Sequence, residues 1–123
     1  MKIIKTVYLA GKITGDEKYR SKFRAAATML EVAGFAVLNP ATLPPEGFEY
    51  AAYMRMSAAM LIECDAACFL SDWKDSAGAR DEHEMAKATG KDIFYFDEWV
   101  HKLNGAARIA SREAVGNGLQ YAT

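Results

Sequence analysis

The stretch Asp75–Lys91 reads DSAGARDEHEMAKATGK and carries one Ser, two glycines and four carboxylates. Ser76 stands just before a helical periodicity, where its hydroxyl can accept a free backbone N–H as an N-cap. Asp81, Glu82 and Glu84 follow in the first turns. There the helix dipole favours each carboxylate by roughly 0.3–1 kcal/mol. That role covers much of the acidity, but it does not account for a carboxylate facing inward. Ala79, Glu82 (or His83) and Ala86 share one side of the helix at i, i+3/i+4, i+7 spacing. Small alanines on that side suggest packing against a sheet, which aims Glu82 at the strand ends and leaves Asp81 and Glu84 to solvent. A carboxylate held near helix N–H groups stays ionised and fixed, as a nucleophile requires.

A second constellation is GKITG, Gly11–Gly15. Its glycines let the backbone turn tightly and approach a ligand, and the helix beyond offers free N–H groups to an anion. It reads either as a plain strand-to-helix turn or as a small phosphate or sugar cradle. It is not GxGxxG, and Lys12 lacks a P-loop context. Trp73 is a candidate to stack on a base or to cover the core. Phe48, Tyr50 and Tyr53 can wall a base pocket or pack a subunit contact. Asn39 and Pro40 shape a turn or touch a ligand. His83 lies in HEMAK rather than HExxH, so it reads as a surface residue and no metal site is expected. With two histidines, and no Cys in a strand-to-helix elbow, a Ser-His-Asp or Cys-His hydrolase is unsupported.

The elements that position these residues follow from periodicity. Ile3–Gly11 is a β-branched, apolar run that reads as a buried strand. Residues 16–33 place Tyr19, Phe23, Ala26, Ala27 and Leu30 on one helical face, with Gly34 as the cap. Phe35–Pro40 is a second strand, and a Pro- and Gly-rich loop follows it. Residues 50–63 form a helix apolar nearly all round and containing three methionines, which predicts deep burial or a subunit contact. Asp65–Ser71 and Asp92–Phe96 are further strands, separated by a helix over Ala79–Thr89. A last helix is expected over 97–113, with a fraying Gly- and Asn-containing tail. The order βαβαβαβα predicts one α/β domain over residues 1–123. Its expected form is a three-layer, Rossmann- or flavodoxin-like fold, a four- or five-stranded parallel sheet with helices on both faces. Ligands of such sheets sit at the carboxyl ends of the strands, where the loops 10–15, 39–47 and 71–78 gather the polar and Gly-rich residues.

Composition narrows the partners. A chain of 123 residues with a formal net charge of −1 and no basic run is a poor match to a nucleic-acid polymer. The two cysteines, Cys64 and Cys68, sit in an apolar setting and read as buried thiols of a cytoplasmic protein. The N-terminal apolar run is too short for a signal peptide, and no segment reaches membrane-spanning length.

The residues Ser76, Gly78, Glu82, Ala86, Gly90 and Lys91, as spaced, match a pattern of the nucleoside 2-deoxyribosyltransferase superfamily, which includes the 2′-deoxynucleoside 5′-monophosphate N-glycosidases. VYLAGKITG, GFAVLNPA and MLIECDAACFL resemble its strand–loop segments. Over residues 6–96 the chain most resembles a branch of small, largely uncharacterised bacterial and phage proteins of the DUF4406 type. The resemblance implies that Glu82 attacks C1′ of a nucleoside or nucleoside 5′-monophosphate, expels the base and forms a glycosyl ester that water or a second base resolves. It implies that Tyr8 orients Glu82 and that Ser76 helps to bind a 5′-phosphate. Gly11, Lys12 and Thr14 would line the sugar–phosphate side, and Lys12 or Arg80 would pair with the phosphate. No cofactor is implied, and a homodimer or larger assembly is. There is one departure. The superfamily usually has an Asp eight residues before the Asp that opens the third strand, and counting back from Asp65 lands on Ser57. Asp65 then stands as the remaining acid candidate, or as a structural residue. The rival reading is a non-catalytic module that senses or sequesters a nucleotide.

Overall fold

The computed structural model describes residues 3–116, and side chains as far as residue 106. Strand β1 (Thr6–Ala10) leads to helix α1 (Tyr19–Val32) and strand β2 (Ala36–Leu38). A short 3-10 turn (Pro40–Thr42) precedes α2 (Tyr50–Glu63) and β3 (Ala66–Phe69). A second 3-10 turn (Trp73–Asp75) precedes α3 (Ala77–Ala88), β4 (Asp92–Tyr95) and α4 (Phe96–Gly116). The four strands are parallel, in the order β2-β1-β3-β4. This is the α/β architecture expected, a flavodoxin-type order with the switch between β1 and β3. Helix α4 runs on to Gly116, past the end expected at 113, and the rest of the expected fraying tail lies outside the described residues.

Alternation along β1 sorts the core into two layers. Val7 and Leu9 face Phe23, Ala26, Ala27 and Leu30 of α1, with Phe94 and Trp99 completing that layer. Tyr8 and Ala10 face the opposite layer, with Leu61 and Cys64 at the end of α2, Ala67 and Phe69 of β3, and Ala86 of α3. Both cysteines are free and buried, and loss of hydration pushes the thiols up to about 11 for Cys64 and about 12 for Cys68. They are inert apolar packing, not nucleophiles. Helix α1 ends where Gly34 takes a left-handed φ of 106°, the conformation a glycine after a helix provides.

The strands are shorter than the apolar runs suggest. Hydrogen-bonded pairing begins at Thr6, although the β-branched run starts at Ile3. Helix α3 starts two residues earlier than its periodicity indicates, at Ala77, because Ser76 caps it. Of the two alternatives for helix α2, deep burial or a subunit contact, deep burial does not hold. Apolar nearly all round, the helix buries only Ser57 and Leu61 fully and leaves Ala51, Ala59 and Ile62 exposed. Among the described residues no helix is long and apolar enough to cross a membrane.

Candidate active site

Glu82 is placed by three choices of the local sequence. Ser76 adopts extended backbone (φ −122°, ψ 119°), and its Oγ accepts the Ala79 N–H at 3.1 Å, which starts α3. Ala79 and Ala86 have no bulk, so that side of α3 lies close on the sheet. Glu82 lies between them and is only 6% exposed. Tyr8, turned to the same side by the strand alternation and fully buried, donates its hydroxyl hydrogen to Glu82 Oε2 at 2.8 Å. A buried carboxylate thereby meets the hydroxyl of a central strand.

The electrostatics of the pair are opposed. Burial raises the Glu82 carboxyl above its ordinary value, while hydrogen bonding from Ser57 and Tyr8 lowers it. Burial, and then the neighbouring Glu82 charge, push the Tyr8 hydroxyl well above its ordinary value. Tyr8 therefore stays a donor, and Glu82 stays an acceptor when ionised.

Both residues line a cavity of about 540 Å³ at the carboxyl ends of the strands. Of the sequence-derived candidates, the cavity collects Tyr8, Gly11, Thr14, Ser57, Ser76, Gly78 and Glu82. Gly11 allows the β1 loop to run against the β3 loop, since a Cβ there would lie 2.9 Å from Leu70 Cδ1. Gly78 allows the first turn of α3 to pass α2, with Tyr50 Oη 3.1 Å from where its Cβ would stand. The Ser57 hydroxyl, with one hydrogen to give, lies within reach of the Met54 carbonyl (3.2 Å) as well as of Glu82 and Tyr8.

Five candidates lie elsewhere. Asp65 is at the opposite end of the sheet. Its Oδ2 accepts the N–H groups of Lys5 (2.8 Å) and Thr6 (3.1 Å), lacing the starts of β1 and β3 away from the cavity lining. Lys12 is outside the cavity lining, and its N–H donates to Asp72 Oδ1 at 3.0 Å. Arg80 is exposed and donates to the Lys74 carbonyl at 2.6 Å. Asn39 caps the 3-10 turn after β2, its Oδ1 accepting from Ala41 N at 2.9 Å. Trp73 does not face the cavity. It stacks on the His83 ring at 4.1 Å between centroids, over Phe69 and beside Tyr95. His83 is accordingly half-buried rather than a surface residue, and it hydrogen-bonds Tyr95 Oη at 2.8 Å.

The rest of the lining joins Pro40, Tyr50 and Tyr53, which the sequence marked for a turn or a pocket wall, to residues it did not single out for the site. Tyr19, Ile13, Pro40, Leu43, Pro44, Pro45 and Met54 make most of its wall apolar. Tyr53, which also lines it, spends its hydroxyl on the Pro44 carbonyl at 2.7 Å. Asp75 joins Glu82 as a second carboxylate, and among the described residues no Lys or Arg lines the cavity. The signal for the apolar wall was the Pro-rich loop after β2, whose path only the tertiary fold sets. Among the described residues no cluster of three or more His, Cys, Asp or Glu could hold a metal ion.

Among solved structures, the chain is similar to a 2-desoxiribosyltransferase from Leishmania mexicana, with a TM-score of 0.60 and 18% sequence identity. The match covers 74% of this chain and 63% of that one. The likeness establishes the fold. No curated protein matches. A family defined as a domain of unknown function, DUF4406, matches residues 5–95. The chain therefore belongs to the DUF4406 family and has the deoxyribosyltransferase-like fold.

Proposed function

We propose that this chain breaks the N-glycosidic bond of a nucleoside or nucleoside 5′-monophosphate, with Glu82 as nucleophile. The observation that carries the proposal is the buried Tyr8–Glu82 hydrogen bond of 2.8 Å at the wall of a strand-end cavity. A Glu82 oxygen would attack the anomeric carbon as the C–N bond breaks and its electron pair leaves with the base. Water or a second base would then attack the same carbon, and the ester C–O bond would return its electrons to Glu82. The base would lie among Tyr and Pro side chains, which offer flat apolar contact.

Among the described residues the lining carries two carboxylates and no cation, which favours an uncharged nucleoside. For a 5′-phosphate the described lining offers hydroxyls such as those of Ser76 and Thr14 and the first N–H groups of α3, but no cation. The exposed apolar stripe on α2 supports a homodimer.

Chromatography of free base tests the reading. The purified protein is incubated with ribo- and deoxyribonucleosides and their 5′-monophosphates, with and without an acceptor base. Release from at least one substrate is expected, falling by roughly 10³-fold or more in Glu82→Ala. Ser57, a hydroxyl beside Tyr8 and Glu82 where the related enzymes usually have a carboxylate, favours a second reading as a binding module. Absence of release at high enzyme concentration, with melting temperature still raised by a nucleoside, would select that module instead.

A further inference from the structure

The loop between β1 and α1 supplies Gly11, Ile13 and Thr14 to one wall of the cavity, and the segment after β3 supplies Asp75 and Ser76 to another. The first loop has no helix or strand of its own to hold it, and the second has only the short 3-10 turn Trp73–Asp75. Both converge on one ammonium group outside the cavity, that of Lys22 in the first turn of α1. Lys22 Nζ donates to the Lys12 carbonyl at 2.9 Å, and it pairs with Asp16 Oδ2 and Asp72 Oδ2. An ammonium has three hydrogens, and here each finds an oxygen.

The arrangement immobilises one peptide segment from both sides. The Lys12 carbonyl is taken by Lys22, while the Lys12 N–H is taken by Asp72 Oδ1. Asp72 therefore spends one oxygen on the backbone of the β1 loop and the other on the lysine. Asp16 likewise takes Lys22 on Oδ2 and the Lys18 N–H on Oδ1 at 2.9 Å. Its own N–H closes a turn onto the Ile13 carbonyl at 3.1 Å. Where the loops touch, Gly11 leaves no slack, since a Cβ there would stand 3.2 Å from Asp72 Oδ1. The three charged side chains are each only about a quarter exposed, so water competes weakly for these bonds. Asp16 has its carboxyl lowered, first by the hydrogen bond from Lys22.

We propose that Lys22 is a positioning residue that clamps the two strand-end loops together and thereby sets the spacing between the cavity walls that flank Glu82. The reading of its effect on turnover rests on the glycosidic function proposed above. The clamp itself does not.

Two measurements test it separately. The first is amide hydrogen exchange on wild-type protein, Lys22→Met, Lys22→Arg and Asp72→Asn. Lys22→Met and Asp72→Asn should speed exchange by about tenfold or more at residues 12–16 and 71–76, leaving β1 and β3 unchanged. The second is base release. Lys22→Met should lose about tenfold to a hundredfold in kcat/KM, the scale of a small misplacement at a reacting centre. Lys22→Arg, which keeps charge and donors, should recover most of both effects. A merely structural lysine would lower the melting temperature while leaving kcat/KM of the folded variant and the relative exchange of the two loops unchanged, and that result overturns the proposal. Should Lys22→Met fail to fold, Asp72→Asn decides by the same criteria. If wild-type protein releases no base from any substrate, the glycosidic reading fails and exchange alone decides. Selective acceleration at the two loops then supports the clamp, and uniform exchange removes it.

Discussion

Glu82 must be ionised to act as a nucleophile, yet it is buried where ionisation is costly. Its carboxyl sits above its ordinary value because desolvation outweighs the hydrogen bonds from Ser57 and Tyr8. The folded state thus holds this proton more tightly than the unfolded chain does. The sign of the linkage follows. The favourable contribution is full below the unfolded value of about 4.3 and is lost as pH rises through the raised folded value. Glu82→Gln has no proton to lose and keeps an oxygen for the Tyr8 hydroxyl. It should melt close to wild type at pH 3.5 and higher than wild type at pH 7, while losing base release. Thermal melts of both proteins across that range check this. A variant no more stable than wild type at pH 7 would show that the two hydroxyls fully offset burial. A gain coupled to lost activity is the trade expected where a site is built against the fold's own preference.

Helix α3 brings Glu82 to Tyr8, and its first turn depends on Ser76. Loss of an N-cap hydroxyl costs about 1 kcal/mol. For a domain of this size that corresponds to a fall of roughly 3–6 °C in melting temperature. Ser76→Ala should show that fall, and Ser76→Asp, which retains an acceptor for the Ala79 N–H, should largely avoid it. Equal melting of Ser76→Ala and wild type would remove the cap from the account. Much of this element scale was legible beforehand. Spacing of Ala79, Glu82 and Ala86 marked the buried side of α3, and the apolar runs marked all four strands in order. The positions that misled lie in segments whose path depends on tertiary contacts. Trp73 falls in a 3-10 turn that swings its ring onto His83, and Arg80 faces solvent one residue past the buried Ala79. Lys12 has its backbone captured by Asp72 and Lys22, partners sixty and ten residues away that no local pattern signals. Asp65 opens a strand, and a parallel sheet puts that end opposite the cavity.

At the scale of the whole molecule, α2 is the element the single chain leaves unfinished. Its inner side closes the cavity with Tyr50, Tyr53, Met54 and Ser57. Its outer stripe of Ala51, Arg55, Ala59 and Ile62 is exposed and carries one charge, with Ile62 44% open to solvent. Phe48 and Tyr50, at 54% and 57%, extend the apolar surface at the cavity end of the helix. Covering such surface stabilises by about 25 cal/mol per Å², so an exposed helix of this composition favours association. A second copy packed along α2 would also adjoin the cavity mouth, which couples assembly to activity. Sedimentation should therefore find the protein at twice the mass of the 13.5 kDa chain. Ile62→Glu and Ala59→Glu, both outside the cavity lining, should shift it to the single-chain mass without unfolding it. Base release per subunit should fall with the dimer fraction, in these variants and on dilution of wild type. Single-chain mass for wild type at all concentrations would leave α2 a solvent-facing helix. Activity unchanged by dissociation would separate the assembly from the site.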